Sequence, residues 1–133
     1  MLSKTHLAVT FLLLFSPNNS LAATMDEHLT CSLVYGALFE SAKRTQHEGM
    51  LQYTKPRLQV VLPYIQANKD NPAAKQRLKE IATELEQEIR YDFVQRVSAA
   101  INAGDPVRLK ASMARVFACD KAFGLTSLPL PIR

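Results

Sequence analysis

Apolar residues in the C-terminal half of the chain recur at steps of three and four, the spacing of one helix face rather than the alternation of a strand. They are Leu78, Ile81, Ala82, Leu85, Ile89, Phe93, Val97, Ala100 and Ile101. Asn71-Pro72 combines a helix-capping residue with a proline at the first helical position. Gly104 stands where a helix commonly ends. The pattern predicts one long helix between these two signals.

A second start signal, Asp105-Pro106, follows at once, and Gly124 is the matching stop signal. Between them, apolar positions at helical spacing predict a last helix that contains Cys119; they are Leu109, Met113, Val116, Phe117 and Ala122. Residues 125–133 contain two prolines and are expected to form an extended tail. Three apolar residues of this tail are expected to lie against the domain: Leu128, Leu130 and Ile132.

The N-terminal half predicts two further helices. Asp26 and Glu27 suit a helix start because acidic side chains complement the helix dipole. The apolar face of this helix comprises Leu29, Leu33, Val34, Leu38, Phe39 and Ala42. We expect the helix to end between Thr45 and Tyr53, with Gly49 as its weakest point. A second helix is expected to start at Thr54–Pro56 and to be bent or shortened by Pro63.

No segment alternates with period two, so the chain is predicted to be an all-α domain over residues 24–124, a small bundle of about four helices. Residues 1–23 are predicted to be a signal peptide, cleaved after Ala22 or Ala23. They comprise a short polar start with Lys4, an apolar run from Leu7 to Phe15, and the small-residue pattern Ser20-Leu21-Ala22. The apolar run is shorter than the roughly 20 residues that span a bilayer. We therefore expect a periplasmic or secreted protein without a transmembrane segment after processing.

Cys31 and Cys119 are the two cysteines of the chain. In an exported protein they form one intramolecular pair, which is predicted to link the first helix to the last. Two free buried thiols are the alternative. No Cys-x-x-Cys motif is present to favour redox catalysis.

Composition narrows the classes of function. The formal net charge is +4 for 133 residues, and removal of the signal peptide lowers it by one, through Lys4. Such a mild excess, without a dense basic cluster, argues against a dedicated nucleic-acid-binding protein. A mature chain of this size supports one domain with one core.

Histidine, cysteine, serine and acidic residues are present, but their spacing does not match a catalytic, haem-binding or metal-binding motif. No Cys-x-x-Cys-His or Gly-x-Ser-x-Gly motif occurs. The candidates for axial haem ligands are His28, His47, Met25, Met50 and Met113, but no pair has a convincing spacing. The acid/His groups at 26–28 and 47–48 occupy consecutive positions, which do not share a helix face. A row of glutamates at 80, 84 and 88 is typical of a solvated face. We expect no catalytic residues, no metal and no cofactor.

A binding function remains, and the C-terminal half offers a candidate surface for another protein: Tyr91, Arg90, Arg96, Arg108 and Arg115. If these residues share a face, an acidic partner can dock there, because opposite charges steer association. The alternatives are a bundle that holds haem, a metal or a lipid between its helices and a small enzyme of unfamiliar type. Whether the chain forms oligomers is left open.

In its length, export signal and cysteine placement, the chain resembles the small, exported, disulfide-linked helical proteins of Gram-negative bacteria. That set includes inhibitors, toxin-immunity proteins and stress chaperones. The resemblance implies a binding or interaction protein without catalytic chemistry, and no functional residue is carried over from it.

Overall fold

The computed structural model describes residues 23–126 and 129–132, and within them the chain is all-helical. The elements are α1 (Met25–Arg44), α2 (Glu48–Ala67), α3 (Pro72–Leu85), a π segment (Glu86–Phe93), α4 (Val94–Ala103), α5 (Pro106–Ser112) and α6 (Ala114–Ala122). The predicted all-α class, with a disulfide between the first and last helices, is confirmed. The predicted signal peptide lies outside the described residues, except for Ala23.

Helix α1 is the central helix, since it contacts α2, α3, the π segment, α4 and α6. It starts with a capping box, in which the Thr24 hydroxyl accepts from the Glu27 amide and the Glu27 carboxylate accepts from the Thr24 amide. Such reciprocal bonds satisfy amides that have no partner within the helix. The core-facing side of α1 includes Val34, Tyr35 and Leu38, each fully buried.

Helix α2 begins earlier than the sequence predicted. The predicted start was Thr54, whereas the structure starts α2 at Glu48, with the His47 ring accepting a hydrogen bond from the Met50 amide. Gly49 does not break the helix. A Cβ atom at Gly49 would lie 3.1 Å from the Cβ atom of Pro131, so the glycine lets the C-terminal tail approach closely. Pro63 lies on the exposed side of α2, and the helix continues past it.

The predicted long helix runs from Pro72 to Ala103 as α3, the π segment and α4. The Asn71 side chain caps it, and Gly104 ends it in the left-handed conformation, with φ of 62°.

The π segment was not predicted, yet the sequence carries a signal for it. Apolar residues recur at a uniform step of four: Ile81, Leu85, Ile89, Phe93, Val97 and Ile101. A step of four overshoots one α-helical turn by roughly 40°, so a uniform stripe drifts around a regular helix. The wider π turn reduces that drift.

The predicted last helix is divided. Met113 interrupts it with φ of −101° and ψ of 13°, which separates α5 from α6. The break allows Leu109, Met113 and Val116 to be fully buried together. In the tail, Ile132 is buried and Leu130 packs against the core, whereas Leu128 lies outside the described residues.

The disulfide joins Cys31 in α1 to Cys119 in α6, with their Cα atoms 5.6 Å apart. Since the two cysteines are 88 positions apart in the sequence, the bond closes nearly the whole domain into a loop. Within residues 23–126 and 129–132, no helix is long and apolar enough to cross a membrane.

Candidate functional site

An open cleft of about 230 Å³ lies between α1 and the junction of α3 with the π segment. We call it the α1 cleft. Its apolar walls are Leu33 and Ala37 from α1 and Ala82, Leu85 and Ile89 from the long helix. The sequence placed Leu33 and Leu85 on core-facing helix stripes. In the structure both are only partly buried, and both line the cleft.

Gly36 lines the α1 cleft halfway along α1. A Cβ atom built on Gly36 meets no atom within 4 Å beyond its own helix, and its backbone φ is not positive. Neither close packing nor backbone conformation therefore requires a glycine. Glycine in a helix interior costs roughly 0.5–1 kcal/mol relative to alanine. The effect of Gly36 in the fold is to deepen the cleft.

Two exposed ion pairs adjoin the α1 cleft through its lining residues Glu40, Glu86 and Arg90. On the α1 side, Arg44 donates to Glu40 at 2.8 Å. On the π-segment side, Arg90 lies 3.6 Å from Glu86, too far for a direct hydrogen bond. The Arg90 side chain is 72 % exposed, which makes it the most solvent-accessible of these four charges. The lining of the cleft therefore carries two carboxylates, Glu40 and Glu86, and one guanidinium, Arg90.

The five residues predicted as a partner surface are distributed over four elements. Arg90 and Tyr91 belong to the π segment, and Tyr91 is 48 % exposed. Arg96 on α4 and Arg108 on α5 are exposed. Arg115 on α6 donates to both carboxylate oxygens of Glu88 at 2.7 Å.

Arg90 and Arg115 line different clefts. Arg90 belongs to the α1 cleft, whereas Arg115 lines a second cleft of about 210 Å³ whose walls include Cys31 and Cys119. Of the predicted surface, Arg90 is the member that adjoins the apolar opening between α1 and the long helix.

A buried polar cluster connects α1, α2 and α6. Arg57 donates to both carboxylate oxygens of Asp120 at 2.8–3.2 Å, and the Tyr35 hydroxyl donates to the same carboxylate at 2.7 Å. The guanidinium lies 3.7 Å from the centre of the Tyr53 ring. Burial, together with the bond to Asp120, raises the pKa of Tyr35. Because Arg57 and Asp120 are almost fully buried and satisfy each other, the cluster links helices rather than offering groups to a ligand.

The two histidines among the described residues are engaged in local structure. His28 stacks on Tyr64, with ring centres 4.0 Å apart, and one of its ring nitrogens bonds the Thr24 carbonyl. His47 caps α2. Among residues 23–126 and 129–132, no group of three or more His, Cys, Asp or Glu side chains is placed to hold a metal ion.

Comparison of the chain with protein-family models, with curated proteins and with solved structures found no match.

Proposed function

We propose that the protein is an exported helical binding protein that recognises another protein through the α1 cleft and acts without catalysis. The observation that carries the proposal is the α1 cleft itself, an apolar opening kept deep by a glycine that the fold does not need. Apolar pockets that receive a side chain of the partner are the usual centres of binding energy at protein interfaces.

The size of the α1 cleft favours a protein side chain over a small-molecule ligand. Sites for drug-sized ligands have volumes of roughly 300–1,000 Å³ and bury most of the ligand. At about 230 Å³ and open to solvent, the α1 cleft is smaller and shallower. An apolar side chain that projects from a partner fits such an opening, while the rest of the partner covers the surrounding helices.

Export is supported by the apolar N-terminal run and by the disulfide. Disulfides persist in oxidising compartments such as the periplasm and the extracellular space. The bond between Cys31 and Cys119 is therefore consistent with a periplasmic or secreted protein.

The test of the proposed function is affinity capture from the native envelope and secreted fractions, with the processed and oxidised protein as bait. A stoichiometric protein partner that is retained by the wild type and lost by Gly36→Leu supports the proposal. Gln59→Leu is the matched control, because it adds the same side chain on the exposed side of α2. Absence of any partner, or a partner retained equally by the Gly36→Leu variant, overturns it. A visible absorbance band or a stoichiometric metal in the purified protein would instead support a ligand-holding bundle.

A further inference from the structure

We propose that the solvent-exposed side of α5 is a second binding surface, through which the protein docks on an anionic lipid bilayer. We call this surface the α5 face. Its exposed residues are Pro106, Val107, Arg108, Lys110 and Ala111. The inference goes beyond the proposed function, because the surface lies on another helix than the α1 cleft and takes another kind of partner.

The first observation is an apolar side chain that projects into solvent. Val107 is 79 % exposed, the highest value for a large apolar residue in the part of the chain that the structure describes. On the other side of the same helix, Leu109 is fully buried and holds α5 on the core. One exposed valine on a soluble domain is ordinary. The charges around Val107 are what give it meaning.

The second observation is the sign of the charge on α5. Arg108 and Lys110 are both exposed, and among the described residues neither has an ion-pair partner. Asp105 is the one acidic residue between Val94 and Cys119. Its carboxylate caps α5 by accepting a hydrogen bond from the Arg108 amide at 3.0 Å. The α5 face therefore presents two side-chain cations against one capping carboxylate.

The helices that pack against α5, which are α4 and α6, add to this positive charge. Their exposed charged residues without an ion pair are Arg96 and Lys121. Their other charged residues have partners: Arg115 is bound to Glu88, and Asp120 is buried against Arg57. Asp92, one turn before Arg96, is exposed and offsets part of its charge. The positive potential is therefore centred on α5 rather than on α4.

Charge is distributed unevenly along the mature chain as well. From Val94 to Arg133 the sequence has six basic and two acidic residues, whereas from Ala23 to Phe93 it has nine basic and ten acidic residues. The net positive charge of the mature chain thus comes from the part that contains α5. Such an asymmetry attracts an anionic surface to one part of a protein.

The shape of the α5 face favours a bilayer over a protein partner. A protein interface is usually centred on a pocket that receives an anchor. Neither the α1 cleft nor the cleft beside the disulfide has a lining residue from α5. A bilayer needs no pocket, because an exposed apolar side chain enters its interfacial region while adjacent basic side chains stay at the anionic head groups.

The experiment is co-sedimentation of the processed, oxidised protein with lipid vesicles. The protein is expected to bind vesicles of equal parts phosphatidylglycerol and phosphatidylcholine at low ionic strength, and not vesicles of phosphatidylcholine alone. Binding should be lost in about 0.5 M salt, where charges are screened within a few ångströms. Arg108→Gln and Lys110→Gln should each weaken binding about five-fold, the effect of one basic residue at an anionic surface.

Val107→Ser tests the apolar contribution and should weaken binding by up to about ten-fold. Two variants on the exposed side of α2 are the matched controls and should bind as the wild type does. Lys55→Gln removes one exposed charge, and Leu62→Ser removes one exposed aliphatic side chain. Circular dichroism of each variant checks that the fold is retained.

The outcomes separate this inference from the proposed function. Equal binding to both kinds of vesicle, no binding to the anionic vesicles, or an equal loss in Lys55→Gln and Lys110→Gln overturns the α5 face. An acidic protein that is captured by the wild type and lost by Lys110→Gln, without vesicle binding, makes α5 a protein interface and overturns the lipid assignment. Gly36→Leu should bind vesicles as the wild type does, so the α1 cleft can fail or succeed independently.

Discussion

Gly36 is the residue whose identity the packing of the domain does not explain. Its neighbours along α1, Tyr35 and Ala37, are buried in the core, whereas a side chain at Gly36 would enter open space. A glycine inside a predicted helix is a weak signal in the sequence, because it is tolerated at a modest cost. It becomes informative only when the structure shows that no close contact or positive φ requires it.

Gly36→Ala is expected to raise the free energy of unfolding by about 0.5–1 kcal/mol, because alanine restricts the unfolded chain and meets no clash. Urea denaturation of the oxidised protein measures the change. Gly104→Ala is the control and should be destabilising, since Gly104 has φ of 62°. A loss of stability in Gly36→Ala would show that the fold does require this glycine.

Arg57 and Asp120 show a second kind of residue that sequence patterns conceal. Both occupy buried positions at helical spacing with apolar neighbours: Arg57 lies four residues before Val61, and Asp120 lies four residues after Val116. A charge in an apolar stripe can indicate a buried pair, but the sequence alone does not show which charges pair across 63 residues. The pairing depends on how α2 and α6 pack, which is tertiary information.

Asp120→Ala is expected to lower the free energy of unfolding by about 3–5 kcal/mol, because it leaves the Arg57 guanidinium buried without its partner. Chemical denaturation measures this loss. The double variant Arg57→Met/Asp120→Leu should recover part of it, since apolar residues of similar volume remove both charges while the Tyr35 hydroxyl still lacks its acceptor. If the single variant lost no more than the double variant, the buried charge would not be the cause.

At the scale of elements, the sequence predicts a helix well where its ends carry capping signals. Asn71-Pro72 and Gly104 bound the long helix as expected, and Asp105-Pro106 starts α5. The α1–α2 turn was misplaced because Gly49 indicates a helix break locally, whereas its role is to admit the tail. No proline or glycine marks the break between α5 and α6 at Met113. The break goes with the burial of residues from both helices, so it was not predicted.

The π segment is tied to α6 by the Arg115–Glu88 pair. The hydrogen bonds that Arg115 donates lower the pKa of the Glu88 carboxyl. Glu88 therefore stabilises the fold fully above the pKa of an unfolded glutamate, about 4.3. This stabilisation is lost as the pH falls through the lower pKa of the folded state.

Glu88→Gln is accordingly expected to cost about 0.2–1 kcal/mol at pH 7, the range for exposed pairs, and nearly nothing near pH 2. Denaturation curves at several pH values check this dependence. Asp92→Asn is the control, since the described residues give Asp92 no ion pair, its contact with Gln87 is a hydrogen bond, and it lies inside the long helix rather than at a helix start. An equal cost of Glu88→Gln at both pH values would contradict the assignment to the ion pair.

At the scale of the whole molecule, α1 combines three roles: it is the centre of the core, one end of the disulfide and one wall of the α1 cleft. The all-α class and the cysteine pairing were predictable, because periodicity and the presence of two cysteines determine them. The α1 cleft could not be predicted from the sequence, because the space between two helices depends on how far apart they lie. The apolar stripe of either helix does not determine that distance. The predicted surface accordingly included Arg90 but none of the apolar wall.

The oxidised, exported protein is expected to lack its first 22 or 23 residues and to weigh two hydrogens less than its reduced form. Intact-mass spectrometry before and after reduction checks both. Reduction is expected to lower the free energy of unfolding by up to about 4–5 kcal/mol, since the bond closes a loop of nearly ninety residues. Free thiols in unreduced protein from the envelope or medium would contradict the exported, disulfide-linked state.

The central claim is that the α1 cleft holds a side chain of a partner protein, and site-specific photocrosslinking in the native cells tests it most directly. A photoreactive residue at Ser32, which lines the cleft, should yield one discrete protein adduct, and Ala82→Leu in the same chain should abolish it. The same photoreactive residue at Gln59 should yield none. No adduct from Ser32, or an adduct that persists with Ala82→Leu, would contradict the claim.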